Sequence, residues 1–209
     1  MTKIYKLFED NEIIEKIKVK LPIMFQIAEQ EISRGGKVGM EVGTIREQII
    51  IALLMYKFGE ENVIPPGINS FEADVRVFDE LISIKTKEGK GFSGVKIIWT
   101  VDWRKVEEFV KNYEPRTHLI FIQINWGGIG YFYFIPLEVQ QEVFKKLGRE
   151  AYMKIPKKGT NPRGIEFSSK ALRMLVEHNG TKKIEILWLK SENIKVNPYR
   201  RWLDIWSEN

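Results

Sequence analysis

Apolar and polar positions follow helical spacing through the first third of the chain and strand spacing after it. Ile4 to Lys18 and Pro22 to Ser33 each mix apolar and polar positions in the helical manner, and Arg34-Gly35-Gly36-Lys37 breaks them. From Arg46 to Phe58, Ile49, Ile50, Ile51, Leu53, Leu54, Met55 and Tyr56 cover nearly every face, which predicts a buried central helix ended by Gly59. Pro65-Pro66-Gly67 marks the turn that follows. Period-two alternation then predicts strands over Ala73 to Phe78 and Leu81 to Thr86, joined as a hairpin through Asp79-Glu80, and a third strand over Val95 to Thr100. Asp102 to Asn112 reads as a helix capped by Asp102, Leu119 to Asn125 as a buried strand, and Trp126-Gly127-Gly128-Ile129-Gly130 as the turn into Tyr131 to Ile135. Helices over Leu137 to Lys146 and Ser168 to His178, separated by a basic loop, and a last strand from Lys183 to Leu189 complete the pattern. With no repeat, linker or low-complexity segment, it predicts one α/β domain over residues 1–209 with a mixed central sheet flanked by helices. Within it, 1–38 form a helical N-terminal region and 39–209 the core with a C-terminal extension.

Composition narrows the chemistry. The 209 residues include no cysteine, which excludes disulfides, zinc-thiolate sites and a thiol nucleophile. His118 and His178 are the only imidazoles, so any metal is a hard ion held by oxygen. The longest apolar run, Ile49 to Tyr56, is eight residues and too short to span a bilayer. Charges interrupt the opening residues where a signal segment would be apolar, and the expectation is a cytoplasmic protein. The net charge of +5 is unevenly spread: seven basic residues against one acid lie between Lys145 and Arg163, and Lys85, Lys87, Lys90 and Lys96 form a second cluster. Both suit a polyanion, and both equally suit a solvated lysine-rich surface.

Few motifs carry chemistry. Gly89-Lys90-Gly91-Phe92-Ser93-Gly94 fits the dinucleotide-binding pattern on paper, yet a predicted strand follows it where a helix is required, and it reads instead as a basic hairpin loop. His118 opens a buried strand and His178 ends a helix, which makes both structural. That leaves carboxylates and lysines. If the hairpin pairs Phe78 with Leu81, Asp74 stands opposite Lys85, on the strand face shared by Ser83 and Lys85. Such a pair could hold Mg²⁺ and a water that attacks phosphate, although a surface ion pair is the ordinary outcome. Thr44-Ile45-Arg46-Glu47 has the form of a capping box, with Thr44 at N-cap and Glu47 at N3; a carboxylate there stays ionised and remains open to a metal role.

Taken in order, Gly39-Met40-Glu41-Val42-Gly43-Thr44-Ile45-Arg46-Glu47, Glu72-Ala73-Asp74 and Ile82-Ser83-Ile84-Lys85-Thr86 resemble the ThaI-type restriction endonucleases of the PD-(D/E)XK nuclease superfamily. Over residues 39–100 the resemblance is specific; beyond them it is architectural. It implies a restriction-endonuclease-like core and a homodimer that uses Mg²⁺ to cut double-stranded DNA in the middle of CGCG. Two positions depart from the superfamily pattern: Ala73 stands where the proline would be, and Ser83 where the second acid would be. The resemblance assigns the missing carboxylate to Glu47, with Glu41 as the fallback if the helix begins earlier. It thus implies Glu47, Asp74 and Lys85 as catalytic residues, and Asp74, Glu47 and the backbone carbonyl of Ile84 as metal ligands. It also implies that Met40 wedges into the base stack from the minor groove. Lys37, Lys87, Lys90, Lys96, Lys157, Lys158 and Arg163 are the candidates for DNA contact, most of them with phosphates. Two alternatives stay open: a structure-specific repair or junction nuclease of the same fold, and a non-catalytic basic DNA-binding domain.

Overall fold

The computed structural model describes residues 2–33, 41–65 and 72–207, with the backbone alone described at 201 and 202. A short helix α1 (Tyr5–Glu9) leads into α2 (Asn11–Ile32), which is continuous through Pro22. The break expected near Lys18 to Pro22 lies instead at Asp10, whose side chain accepts hydrogen bonds from the Glu12 and Ile13 N–H groups at 3.0 and 3.2 Å. That cap starts α2, and the buried side of Pro22 keeps the proline packed rather than ending the helix. The next helix, α3 (Val42–Phe58), buries only Arg46, Ile50 and Leu54, while Tyr56 is 64% exposed. It is therefore half-buried, contrary to its all-round apolar pattern. Its outer side and α2 form a groove of about 330 Å³ lined by Ile17, Leu21, Met24, Ile49 and Leu53 among others.

The strands follow. β1 (Val63–Ile64), β2 (Val75–Val77) and β3 (Glu80–Glu88) form an antiparallel ribbon. β4 (Lys96–Ile98) and α4 (Trp103–Asn112) come next, the helix capped as expected by Asp102, which accepts from the Arg104 N–H. Beyond them lie β5 (His118–Ile124), β6 (Gly128–Ile135), α5 (Leu137–Leu147), α6 (Arg149–Tyr152), β7 (Met153–Lys154), β8 (Ile165–Phe167), α7 (Ser169–Glu177), β9 (Lys182–Trp188) and α8 (Arg200–Ser207). The main sheet has six strands in the order β1-β2-β3-β5-β6-β9, with β3 and β5 parallel and the other pairs antiparallel. The mixed sheet is as expected. β4, however, pairs with β8 and not with β3, in a second sheet ordered β4-β8-β7, so the glycine-rich segment 89–94 joins two sheets and is no hairpin loop. Part of the basic segment expected as a loop forms α6, β7 and β8.

Period-two alternation on the central strands feeds two cores. Ile120, Ile122, Ile124, Phe132 and Phe134 face α1, α2 and α3, while Leu119, Phe121, Tyr133 and Ile135 face α4, α5, α7 and the small sheet. Every residue of β5 is buried for this reason. No helix among the described residues is long and apolar enough to cross a membrane.

Candidate active site

The β2–β3 hairpin delivers the first carboxylate. Val75 pairs with Ile82, Arg76 with Leu81 and Val77 with Glu80, so Phe78 and Asp79 form the turn. This register stops two residues short of the expected one and leaves Asp74 off the position opposite Lys85. Phe78 is the cause: its N–H donates to the Asn62 carbonyl at 2.7 Å and its ring meets Phe58 edge-on at 5.8 Å, which holds it in the turn at φ 54°. The groups meet nonetheless. Asp74 Oδ2 accepts from Ser83 Oγ at 3.1 Å, from the Ile84 N–H at 2.6 Å and from Lys85 Nζ at 3.0 Å. Side-chain length, not strand register, brings Lys85 to Asp74. The serine found in place of the second acid acts as a donor that orients the first.

The second carboxylate comes from α3. The helix begins at Val42, with Glu41 as an N-cap in helical conformation that makes no side-chain cap bond. Thr44 and Glu47 therefore lie within the helix, and the capping box does not form. Starting the helix three residues early carries Glu47 into its second turn, where the carboxyl is half-buried. Burial, then the negative charge of Asp74, push its pKa up to about 7, with Lys85 opposing. The exposed Glu41 stays at the helix start. Asp74, Lys85 and Glu47 thus share one electrostatic neighbourhood with two acids to one base.

That neighbourhood fits a divalent cation. Burial first and the Asp74 charge second disfavour an ionised Glu47, and a bound cation would offset both. Among the described residues no three His, Cys, Asp or Glu side chains gather to cage a metal. Two carboxylates with room for water and phosphate oxygens are what Mg²⁺ accepts, whereas Ca²⁺ or Zn²⁺ cages take more protein ligands. A further carboxyl, Glu72, lines a cavity of about 20 Å³ together with Ser83 and Lys85, enough for one water, and burial raises its pKa against the pull of Arg116. The pattern of the chain does not single out Glu72 or the Ser83 contact as functional, because the contact depends on how β2 closes on β3 and the cavity on how β3 and β5 meet β4, α5 and β8.

The two histidines are structural, as expected. His118 Nδ1 accepts from the Leu137 N–H at 3.0 Å, and burial lowers the ring's pKa; His178 Nδ1 accepts from the Gly180 N–H at 3.0 Å. Of the candidate DNA contacts, Lys90, Lys157, Lys158 and Arg163 are exposed and Lys87 is half-buried. Lys96 is engaged with Glu166 at 3.2 Å, which also holds Lys154 at 3.1 Å. Trp103 pins the segment bearing Lys157, Lys158 and Arg163 through a hydrogen bond from Nε1 to the Thr160 carbonyl at 2.9 Å. Lys37 and Met40 lie outside the described residues.

The chain matches known proteins along nearly all its length. The profile described as restriction endonuclease ThaI matches residues 7–208. A solved structure described as a restriction endonuclease in complex with substrate DNA superposes with a TM-score of 0.93 at 49% sequence identity, over 100% of both chains. No protein with a curated description matches. The chain belongs to the ThaI restriction endonuclease family, and is a site-specific deoxyribonuclease.

Proposed function

We propose that this enzyme is a cytoplasmic, Mg²⁺-dependent type II restriction endonuclease of the PD-(D/E)XK superfamily, which as a homodimer cuts both strands in the middle of CGCG and leaves blunt ends. The observation that carries the catalytic part is the convergence of Ser83 Oγ, the Ile84 N–H and Lys85 Nζ on one oxygen of Asp74, with Glu47 in electrostatic reach of Asp74 and Lys85. Asp74, Glu47 and the Ile84 carbonyl are the groups that would hold the ion. A bound Mg²⁺ supplies positive charge to the phosphate and acidity to a water. Lys85, held by Asp74, orients the attacking water and stabilises its deprotonated form. Ser83 and the Ile84 N–H keep the Asp74 carboxylate in place, so little reorganisation accompanies the reaction. Lys37, Lys87, Lys90, Lys157, Lys158 and Arg163 contact the backbone or guanine edges, and Met40 wedges between base pairs. The pairing of Lys96 with Glu166 makes it the weakest of the candidate contacts.

Digestion of a linear plasmid of known sequence, with Mg²⁺ or with chelator, tests this reading. Discrete fragments with blunt ends inside CGCG that vanish with chelator are expected. Discrete cutting at another sequence would overturn the site assignment alone, and cutting only at branched DNA would favour the repair nuclease.

A further inference from the structure

The helix that carries Glu47 also buries an arginine immediately before it. Arg46 is 5% exposed, and a single terminal nitrogen, Nη2, donates to two carboxylates: Glu29 on α2 at 2.6 Å and Glu88 at the end of β3 at 2.5 Å. Glu29 is as buried as Arg46 and also takes Trp126 Nε1 at 2.8 Å and Lys190 Nζ at 2.7 Å. The guanidinium lies 5.5 Å from the centre of the Phe25 ring. Its Nε is buried and has no hydrogen-bond partner among the described residues. Desolvating this many charges is a poor way to gain stability, because an apolar cluster of the same volume would serve as well or better. The arrangement does achieve something an apolar cluster cannot: it ties α3 to β3 by a directional bond.

That bond bears on the cutting site. Lys85 and Glu88 lie three residues apart on β3, roughly 10 Å along the strand. Adjacent residues of α3 thus address both positions, Glu47 the Asp74–Lys85 pair and Arg46 the strand end at Glu88. With Glu29 gripping the same guanidinium from α2, α3 can neither rotate about its axis nor slide along β3 without breaking a charged hydrogen bond. We propose that Arg46, clamped between Glu29 and Glu88, is a positioning residue that sets where the Glu47 carboxylate stands relative to Asp74 and Lys85, and so sets the affinity of the site for its divalent ion. The inference rests on the reading of those three residues as the cutting site.

The test compares Glu88→Ala, Arg46→Met and Arg46→Lys with wild type. Glu88 is 49% exposed, so Glu88→Ala removes the strand-side grip without opening the core. Mn²⁺ is titrated calorimetrically into the free enzyme, and the Mg²⁺ concentration for half-maximal cleavage of a CGCG duplex is measured alongside. Glu88→Ala and Arg46→Met weaken Mn²⁺ binding about tenfold and raise the Mg²⁺ requirement to match, since losing a group that orients a metal ligand costs about 10- to 100-fold in metal affinity. Arg46→Lys, which retains a donor, recovers part of the loss. Metal-free affinity for the duplex does not move. Lys190→Ala, which takes a different cation from the same Glu29, stays within about twofold of wild type. Wild-type metal affinity in Glu88→Ala, or an equal loss in Lys190→Ala, would overturn the positioning role. Failure of the cutting-site reading shows differently: the wild type itself would neither bind Mn²⁺ nor cleave, and the positioning role would fall with it.

Discussion

At the scale of single residues, the candidate site sets a half-buried carboxyl beside a second carboxylate, with one lysine to offset their charge. Asp74 is satisfied by three donors, whereas the half-buried Glu47 feels the Asp74 charge with Lys85 opposing it. Asp74→Asn keeps the shape and removes the charge, and Lys85→Met removes the ammonium that donates to Asp74 and that the proposed function assigns to the attacking water. Each should lower single-turnover cleavage by at least about 100-fold, the usual loss when one preorganised electrostatic group is removed, while leaving metal-free DNA binding intact. Glu47 makes a separate prediction about pH. In the metal-free folded protein its carboxyl titrates near 7, but in the unfolded chain near the ordinary value of 4.5. The folded state therefore binds this proton more tightly, and stability declines as pH rises from that ordinary value through 7. Glu47→Gln should raise the Tm of the chelator-treated protein at pH 8, with the gap closing towards pH 4.5, by scanning calorimetry. Added Mg²⁺ should raise the Tm of the wild type and not that of the variant.

At the scale of elements, β6 shows how little slack the central sheet has. It lies between β5 and β9, and at Gly130 a Cβ would run into the Gln123 carbonyl and the Trp188 indole. Trp188 is fully buried and stacks edge-on against Trp126, so the indole has nowhere to retreat. Gly130→Ala should cost about 1–3 kcal/mol, the usual range for overpacking, and lower the midpoint of urea unfolding accordingly. The same tightness explains the elements that departed from their local patterns. α2 runs through Pro22 because its apolar stripe, Ile13, Ile17, Leu21 and Phe25, is buried in the first core. Tertiary burial outweighs one missing backbone hydrogen bond. α3 is apolar on nearly every side yet packs chiefly against α2 and the β1–β3 ribbon, and part of its remaining apolar face lines the groove beside α2.

For the whole molecule, each chain brings together one Asp74–Lys85–Glu47 site, and a duplex presents two antiparallel strands. Cutting both strands at a palindrome then calls for two chains related by a two-fold axis. Sedimentation should find a particle of twice the 24.5 kDa chain mass. Supercoiled plasmid with a single CGCG site should pass to the linear form without accumulating nicked circles. A particle of one chain mass both alone and on DNA, with nicked circles building up first, would refute the dimer. The exposed cations at Lys90, Lys157, Lys158 and Arg163 carry a companion expectation: affinity for DNA should fall steeply with salt, and charge removal at any of them should make the slope shallower.

Much was legible from the chain alone, for reasons of periodicity. Period two identified β2 and β3, a continuous apolar run identified β5 as a buried strand, Asp102 announced the start of α4, and the order Glu47, Asp74, Ser83-Ile84-Lys85 pointed to a nuclease before any geometry was known. Those features are local: a repeat or a cap is a property of a few neighbouring residues. Tertiary structure decided the rest. The contact of Phe78 with Phe58 set the hairpin register, and the early start of α3 released Glu47 from a capping role. Packing of α3 against α2 and β3 brought Glu29 and Glu88 onto Arg46. These partners lie 17 to 42 residues apart in the chain. No pattern within one element encodes such a distance, because it is fixed only when the faces of different elements close on a shared core.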